Sequence, residues 1–258
     1  MMNADYMGPV KYSLNAALKE LRYSKGQQHW FCGGERSIAL AVQLIKSQKI
    51  IAVPTDTIYG LTGLAQDSLA IEKLYAIKRR DHNKPLAIFV GSVSEIGNWG
   101  EASHLPEGLL EKLLPGPVTV VLKRTPNLNP ELNPGIPTVG IRIPDTDFLR
   151  HVVKIVGEPL ALTSANESNS LSTLHPDEFE SLWPLLGGIF YDNPNKAVLR
   201  DKNRLGSTII DLTEPGLYKV IRPGMASIPT NGLLQQSGLR RIKDRKERKV
   251  DIKEKVAL

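Results

Sequence analysis

Short apolar runs alternate with stretches of helical period along most of the chain. The runs "KIIAVP" (49–54), "LAIFV" (86–90), "VTVVLK" (118–123), "TVGIRI" (138–143), "PLALT" (159–163), "GGIFY" (187–191), "STIIDL" (207–212) and "LYKVIR" (217–222) have strand length and strand composition. Apolar positions recur at three- and four-residue spacing near 35–47, 68–79, 107–114, 146–156 and 176–186, which predicts helices there. Pro and Gly mark the joints, as in "LLPGP", "LNPGIP" and "IRPG". Strands interleaved with helices predict one α/β domain from about 35 to 230, with a mixed sheet covered by helices. Residues 1–34 read as a loose or briefly helical lead-in, and 231–258 as a charged tail.

Composition adds few constraints. The chain has 258 residues, 41% of them hydrophobic, enough for one large core or two modest ones. No apolar run approaches the ~20 residues of a membrane helix, and the N-terminus lacks a secretory apolar segment. The single cysteine, Cys32, rules out an internal disulfide and fits a reducing compartment. The net charge is +6, but Arg240 to Lys255 carry nine Lys/Arg against four Asp/Glu, so the rest of the chain is near neutral. That tail is either a solvated helix or a surface that touches RNA or another acidic partner.

Familiar catalytic designs are missing. There is no phosphate-binding "GxxxxGK[ST]", no strand-linked "GxGxxG" and no "GxSxG", and the five histidines lack zinc spacing. Polar residues instead gather at strand ends. "VPTDTIYGLTG" (53–63) opens an apolar strand into a hydroxyl-rich loop. In "TVGIRI", Val139, Ile141 and Ile143 share one face. Thr138, Gly140 and Arg142 share the other, where an arginine fork beside a glycine suits a carboxylate or phosphate. "LALTSAN" (160–166) breaks into Thr163, Ser164 and Asn166, which fit a turn or helix cap as well as a ligand. In "DSLAIEKLYAIKRR", Lys78 falls on the inward stripe of Ile71, Leu74 and Tyr75, where it needs an anionic partner or must snorkel. Arg80 and Lys84 follow it. "RLGSTIIDL" and "IRPG" put Ser207, Thr208 and Arg222 at two more strand ends. Hydroxyls, cations and open backbone, with few acids, suit anion binding. They also suit chemistry run by positioning and charge stabilisation.

Taken in order, "VPTDTIYGL", "KRRDHNKPLAIFV", "LLPGPVTVVL", "VGIRIP", "LALTSAN", "LGSTIIDL" and "IRPG" resemble the YrdC family of threonylcarbamoyl-AMP synthases over about 36–228. The resemblance implies a twisted α/β sheet around a large, positively lined concave cavity. It implies an enzyme that joins L-threonine, bicarbonate and ATP into threonylcarbamoyladenylate and releases pyrophosphate. Mg²⁺ accompanies the ATP, with no organic cofactor and no metal assigned to protein side chains. A separate transferase complex then modifies an adenosine of tRNA; weak direct contact with tRNA is a further partner expectation.

Carried over residue by residue, the resemblance assigns L-threonine to Thr57, Tyr59, Phe89, Arg142, Leu162 and Ser207. It assigns ATP to Arg80, Lys84, Thr138, Ser164, Ser172 and Arg222. Lys78, Arg80, Ser164 and Asn166 take the catalytic positions. Position 89 is histidine in some relatives, and "SNSLST" departs from the commoner Pro-containing loop around Ser172. The family location is cytosol, with mitochondria as a second site. Two other readings remain: a carbamoyl-adenylate-forming enzyme, and a non-catalytic RNA-binding module.

Overall fold

Near-continuous apolar runs belong to strands buried on both faces, and the chain builds its sheet from them. The computed structural model describes residues 28–78, 85–166, 170–191 and 204–242. Among these the strands are β1 (His29–Phe31), β2 (Ile51–Val53), β3 (Gly60–Leu64), β4 (Ala87–Phe89), β5 (Val118–Lys123), β6 (Thr138–Arg142), β7 (Leu160–Ser164), β8 (Gly188–Tyr191), β9 (Thr208–Asp211), β10 (Leu217–Arg222) and β11 (Arg240–Arg241). The helices are α1 (Gly34–Lys46), α2 (Ser68–Lys78), α3 (Ile96–Trp99), α4 (Leu109–Leu113), α5 (Asp147–Val156) and α6 (Ser227–Gln236). The strands form one sheet in the order β1-β8-β2-β3-β7-β4-β6-β5-β9-β10-β11. It is mixed: β4 runs parallel to β6 but antiparallel to β7, and β5 runs parallel to β9.

Side-chain alternation divides the apolar residues between two cores. Ala52, Ile88, Ala161 and Ile189 face the larger one, with Ile71, Leu74 and Tyr75 of α2. Their neighbours Ile51, Val53, Phe89, Leu160 and Phe190 face the other, with α1 and α5. α5 buries Leu149, Val152, Val153 and Val156, a stripe at i, i+3, i+4 and i+7. Burying each such side chain contributes about 1.5–3 kcal/mol. The helix stops at Gly157, whose φ of 78° is the left-handed cap that glycine adopts without strain. At its start α2 is capped by Asp67, whose Oδ1 accepts the Ala70 N–H at 3.0 Å.

The expected α/β class and mixed sheet are present, and the fold runs past the expected limits of 35 and 230. β1 pairs with β8 ahead of residue 35. Beyond 230, Leu234 and Leu239 are buried in the larger core, and β11 pairs with β10. β1 and β11 are too short to display a period. β3, "GLTGL", hides its strand character behind two glycines. α6 carries Pro229 in its first turn, where a missing N–H costs little. The helix expected at 176–186 is a 3₁₀ helix, Pro176–Leu185, broken by non-helical angles at Phe179.

Candidate functional site

Strand parity places Ala87, Gly140, Arg142 and Leu162 on the same sheet face as Phe89 and Leu160. α1 and α5 cover one end of that face. At the other end small residues leave a cavity of about 160 Å³. Its wall includes Tyr59, Thr119, Arg142, Leu162, Ser207 and Arg222. The volume suits an amino-acid-sized ligand, below the roughly 300–1,000 Å³ usual for drug-sized ones. Gly140 lies between the lining residues Ala87 and Thr119, where a Cβ would stand 3.1 Å from Thr119 Cγ2 and 3.5 Å from Ala87 Cβ.

Arg142 ends β6 inside this wall, only 3% exposed. Its Nη2 donates to Asp56 Oδ1 at 2.5 Å and to Thr57 Oγ1 at 3.0 Å. Hydroxyl accounting fixes the direction of the network. Thr55 spends its one proton on the Ile58 carbonyl at 2.7 Å, so the Thr57 hydroxyl donates to Thr55 Oγ1 at 3.0 Å. Thr57 therefore accepts from Arg142 and, 1% exposed, holds the guanidinium from behind the wall. Across the cavity, Thr119 and Ser207 hydroxyls lie 2.7 Å apart. Arg222 Nη2 donates to the Ser207 carbonyl at 2.9 Å. The glycine of "IRPG" is dictated here, since a Cβ on Gly224 would come within 2.4 Å of the Gly206 carbonyl oxygen.

Burial pushes both guanidiniums below the usual arginine range. Asp56 pulls Arg142 back up, whereas Arg142 itself pushes Arg222 further down. Two cations facing one small hollow against a single carboxylate make a seat for an anion.

Lys78 stands behind the wall, 3% exposed at the end of α2. Its Nζ donates to the Ser164 carbonyl at 2.6 Å, to the Asn166 carbonyl and to Asn166 Oδ1 at 3.3 Å. A lysine on a buried helix face thus ties α2 to the end of β7, where Ser164 lines the cavity. Tyr59 is 2% exposed, lines the cavity and leans on Phe179 with ring centroids 5.5 Å apart.

Six expected site residues are not part of the cavity wall: Thr57, which holds Arg142 from behind, Lys78 and Asn166, which are bonded to each other, and Phe89, Thr138 and Ser172. Phe89 is fully buried in the core with Leu149, Val153 and Leu160, so it packs under α5 instead of facing a ligand. Thr138 begins β6, about 13 Å along the strand from Arg142. The Ser172 carbonyl accepts from Arg204 Nη1 at 2.8 Å, and the same arginine pairs with Glu178. Arg80 and Lys84 lie outside the described residues. Sequence reasoning assigned no role to Asp56, Thr55 or Thr119. Thr119 had a legible signal, a polar position inside the buried strand "VTVVL". Asp56 had only its place in the opening loop.

The family model Sua5_yciO_yrdC, described as telomere recombination, matches residues 43–224. A threonylcarbamoyl-AMP synthase of Bos taurus is 44% identical over 207 residues, 80% of this chain and 75% of the bovine one. A Homo sapiens threonylcarbamoyl-AMP synthase is 43% identical over 79% of this chain and 73% of its own. Among solved structures, P. abyssi Sua5 complexed with L-threonine superimposes with a TM-score of 0.69 at 26% identity, covering 80% of this chain and 58% of that one.

Proposed function

The chain belongs to the Sua5/YciO/YrdC family, and we propose that it works as a threonylcarbamoyl-AMP synthase. One observation of the structure supports this most: Arg142 and Arg222 converge with the hydroxyls of Thr119 and Ser207 on a hollow of amino-acid size. The family resemblance and this geometry support reading the hollow as the seat of L-threonine. Arg142 takes the carboxylate through the part of its fork that Asp56 leaves open. Thr57, which the resemblance assigns to the amino acid, acts through Arg142, whose guanidinium it holds in place. Ser207, held against Thr119, faces the rest of the amino acid.

In the proposed reaction the threonine amine adds to the bicarbonate carbon, and water leaves to give a carbamate. A carbamate oxygen then attacks the α-phosphorus of ATP as the bond to pyrophosphate breaks. No protein nucleophile takes part, which fits a cavity walled by hydroxyls and guanidiniums. Arg222, a solvent-exposed member of the wall, offsets phosphate charge of the nucleotide in this reading. Lys78 holds Ser164 and Asn166 beside it. Mg²⁺ enters with ATP. The donors around the cavity suit phosphate oxygens better than a bare cation, so no step is assigned to a protein-held metal. The product passes to a tRNA threonylcarbamoyltransferase, in the cytosol and in mitochondria. Among the described residues no helix is long and apolar enough to cross a membrane.

The test is pyrophosphate release from ATP and Mg²⁺ with L-threonine and bicarbonate, each omitted in turn. Release that needs both, with a threonylcarbamoyladenylate product, supports the reading. Release that needs carbamoyl phosphate instead points to carbamoyl-adenylate formation. No turnover by folded protein returns the RNA-binding reading.

A further inference from the structure

Arg142 is almost wholly buried, and among the described residues one counter-ion, Asp56, pairs with it. Asp56 sits on the segment between β2 and β3, with a side chain 12% exposed. The pair is joined at a single point, Nη2 to Oδ1 at 2.5 Å. Among the described residues, Arg142 Nε and Asp56 Oδ2 are both buried without a hydrogen-bond partner. A side-on bidentate pair would satisfy both atoms and would occupy more of the fork. Here the contact is restricted to one nitrogen, which Thr57 also holds from a second direction at 3.0 Å.

Asp56 approaches from outside the arginine cavity. It lines a separate hollow of about 710 Å³, together with Asp145, Thr146 and Phe148. The 54–56 segment is thus a partition, with Thr55 on both sides of it, the carboxylate on one and the guanidinium on the other. The arrangement leaves Nη1 for a second carboxylate inside the cavity. It also offsets the repulsion between Arg142 and Arg222 while the cavity is empty.

We propose that Asp56 is a positioning residue for carboxylate recognition: it pins Arg142 from behind by one nitrogen, so that the rest of the fork meets the carboxylate of the amino-acid substrate. The inference rests on the reading of the cavity as the L-threonine site. It adds a residue that never touches substrate yet sets the selection for a free carboxylate. Without the charge of Asp56, Arg142 is buried with no counter-ion among the described residues and turns toward solvent, away from Arg222. Recognition of the carboxylate then weakens, while contacts to the amine and side chain persist.

The experiment compares wild type with Asp56→Asn, which keeps the shape and removes the charge, and with Asp56→Glu, which restores it. L-Threonine and L-threoninol, which has an alcohol in place of the carboxylate, are titrated into each protein by calorimetry. KM values for threonine and ATP are measured alongside. In Asp56→Asn the threonine affinity should fall roughly tenfold or more, with threoninol affinity and the KM for ATP changing less than about twofold. Asp56→Glu should recover most of the lost discrimination. Equal losses for threonine and threoninol, or no loss for either, would overturn the proposal in favour of a purely structural acid. If Asp56→Asn fails to fold, failure of the folded Asp56→Glu protein to prefer threonine over threoninol as wild type does overturns it too. A wild-type protein that binds no L-threonine overturns the functional reading beneath it, a result distinct from these.

Discussion

Two ends of one sheet face behave in opposite ways. β4 contributes Phe89 to one end and Ala87 to the other, and β7 contributes Leu160 and Leu162. Each pair is two residues apart, about 7 Å along its strand and on the same face. Under α1 and α5 the face is dry, closed by Leu40, Leu149 and Phe190. Beyond the helices, Ala87, with Gly140 beside it in the sheet, leaves the floor low, and Arg142, Thr119 and Ser207 stand around it. On β4 and β7 a two-residue step decides between packing and recognition, while on β6 Arg142, in register with Phe89, already belongs to the cavity.

The largest test of this contrast is Phe89→Ala. Phe89 is fully buried, so its truncation should cost about 3–5 kcal/mol in denaturant unfolding. The KM for threonine of the protein that stays folded should be unchanged. A raised KM at intact stability would move Phe89 from the core end to the site end. Arg142→Ala inverts the pattern. Pyrophosphate release should fall about 10²–10³-fold, as for loss of one strong charge-stabilising donor. It should also destabilise, because Asp56 is left buried without its partner. The smallest effect belongs to Gly140→Ala. Its new methyl would meet Thr119 Cγ2 at 3.1 Å, a contact that a small shift of Thr119 relieves. We expect about 1 kcal/mol of destabilisation, at the low end of overpacking. The threonine KM should rise several-fold as the floor lifts and the Thr119–Ser207 pair is disturbed. Stability and KM measured together place each residue at one end or the other.

These residues also show how far the chain could be read without coordinates. Val139, Ile141 and Ile143 were legible as core, and Gly140 and Arg142 as the opposite face, because a strand has a fixed period of two. Lys78 was legible as an anomaly on the inner stripe of α2, though its acceptors, the carbonyls of Ser164 and Asn166, lie 86 and 88 residues away. Tyr59, Arg142, Ser207 and Arg222, which the resemblance named, line one cavity across 163 residues of chain. The resemblance also named Phe89, which the fold puts under α5. Thr138 and Ser172 stand away from the wall, and Arg80 and Lys84 lie outside the described residues.

By itself the sequence determined the α/β class, the faces of the longer strands, the hydroxyl and cationic make-up of the strand ends and the family. Each of these follows from local period, side-chain chemistry or ordered motifs, and none needs a long-range contact. Only the tertiary structure decided that Asp56 is the counter-ion of Arg142, that Thr119 backs Ser207, and that Phe89 is covered while Ala87 is open. Those facts depend on which strands become neighbours and where α1 and α5 come to rest. Pairing of that kind is fixed by the burial of the whole apolar set at once, and no single stretch of the chain records it.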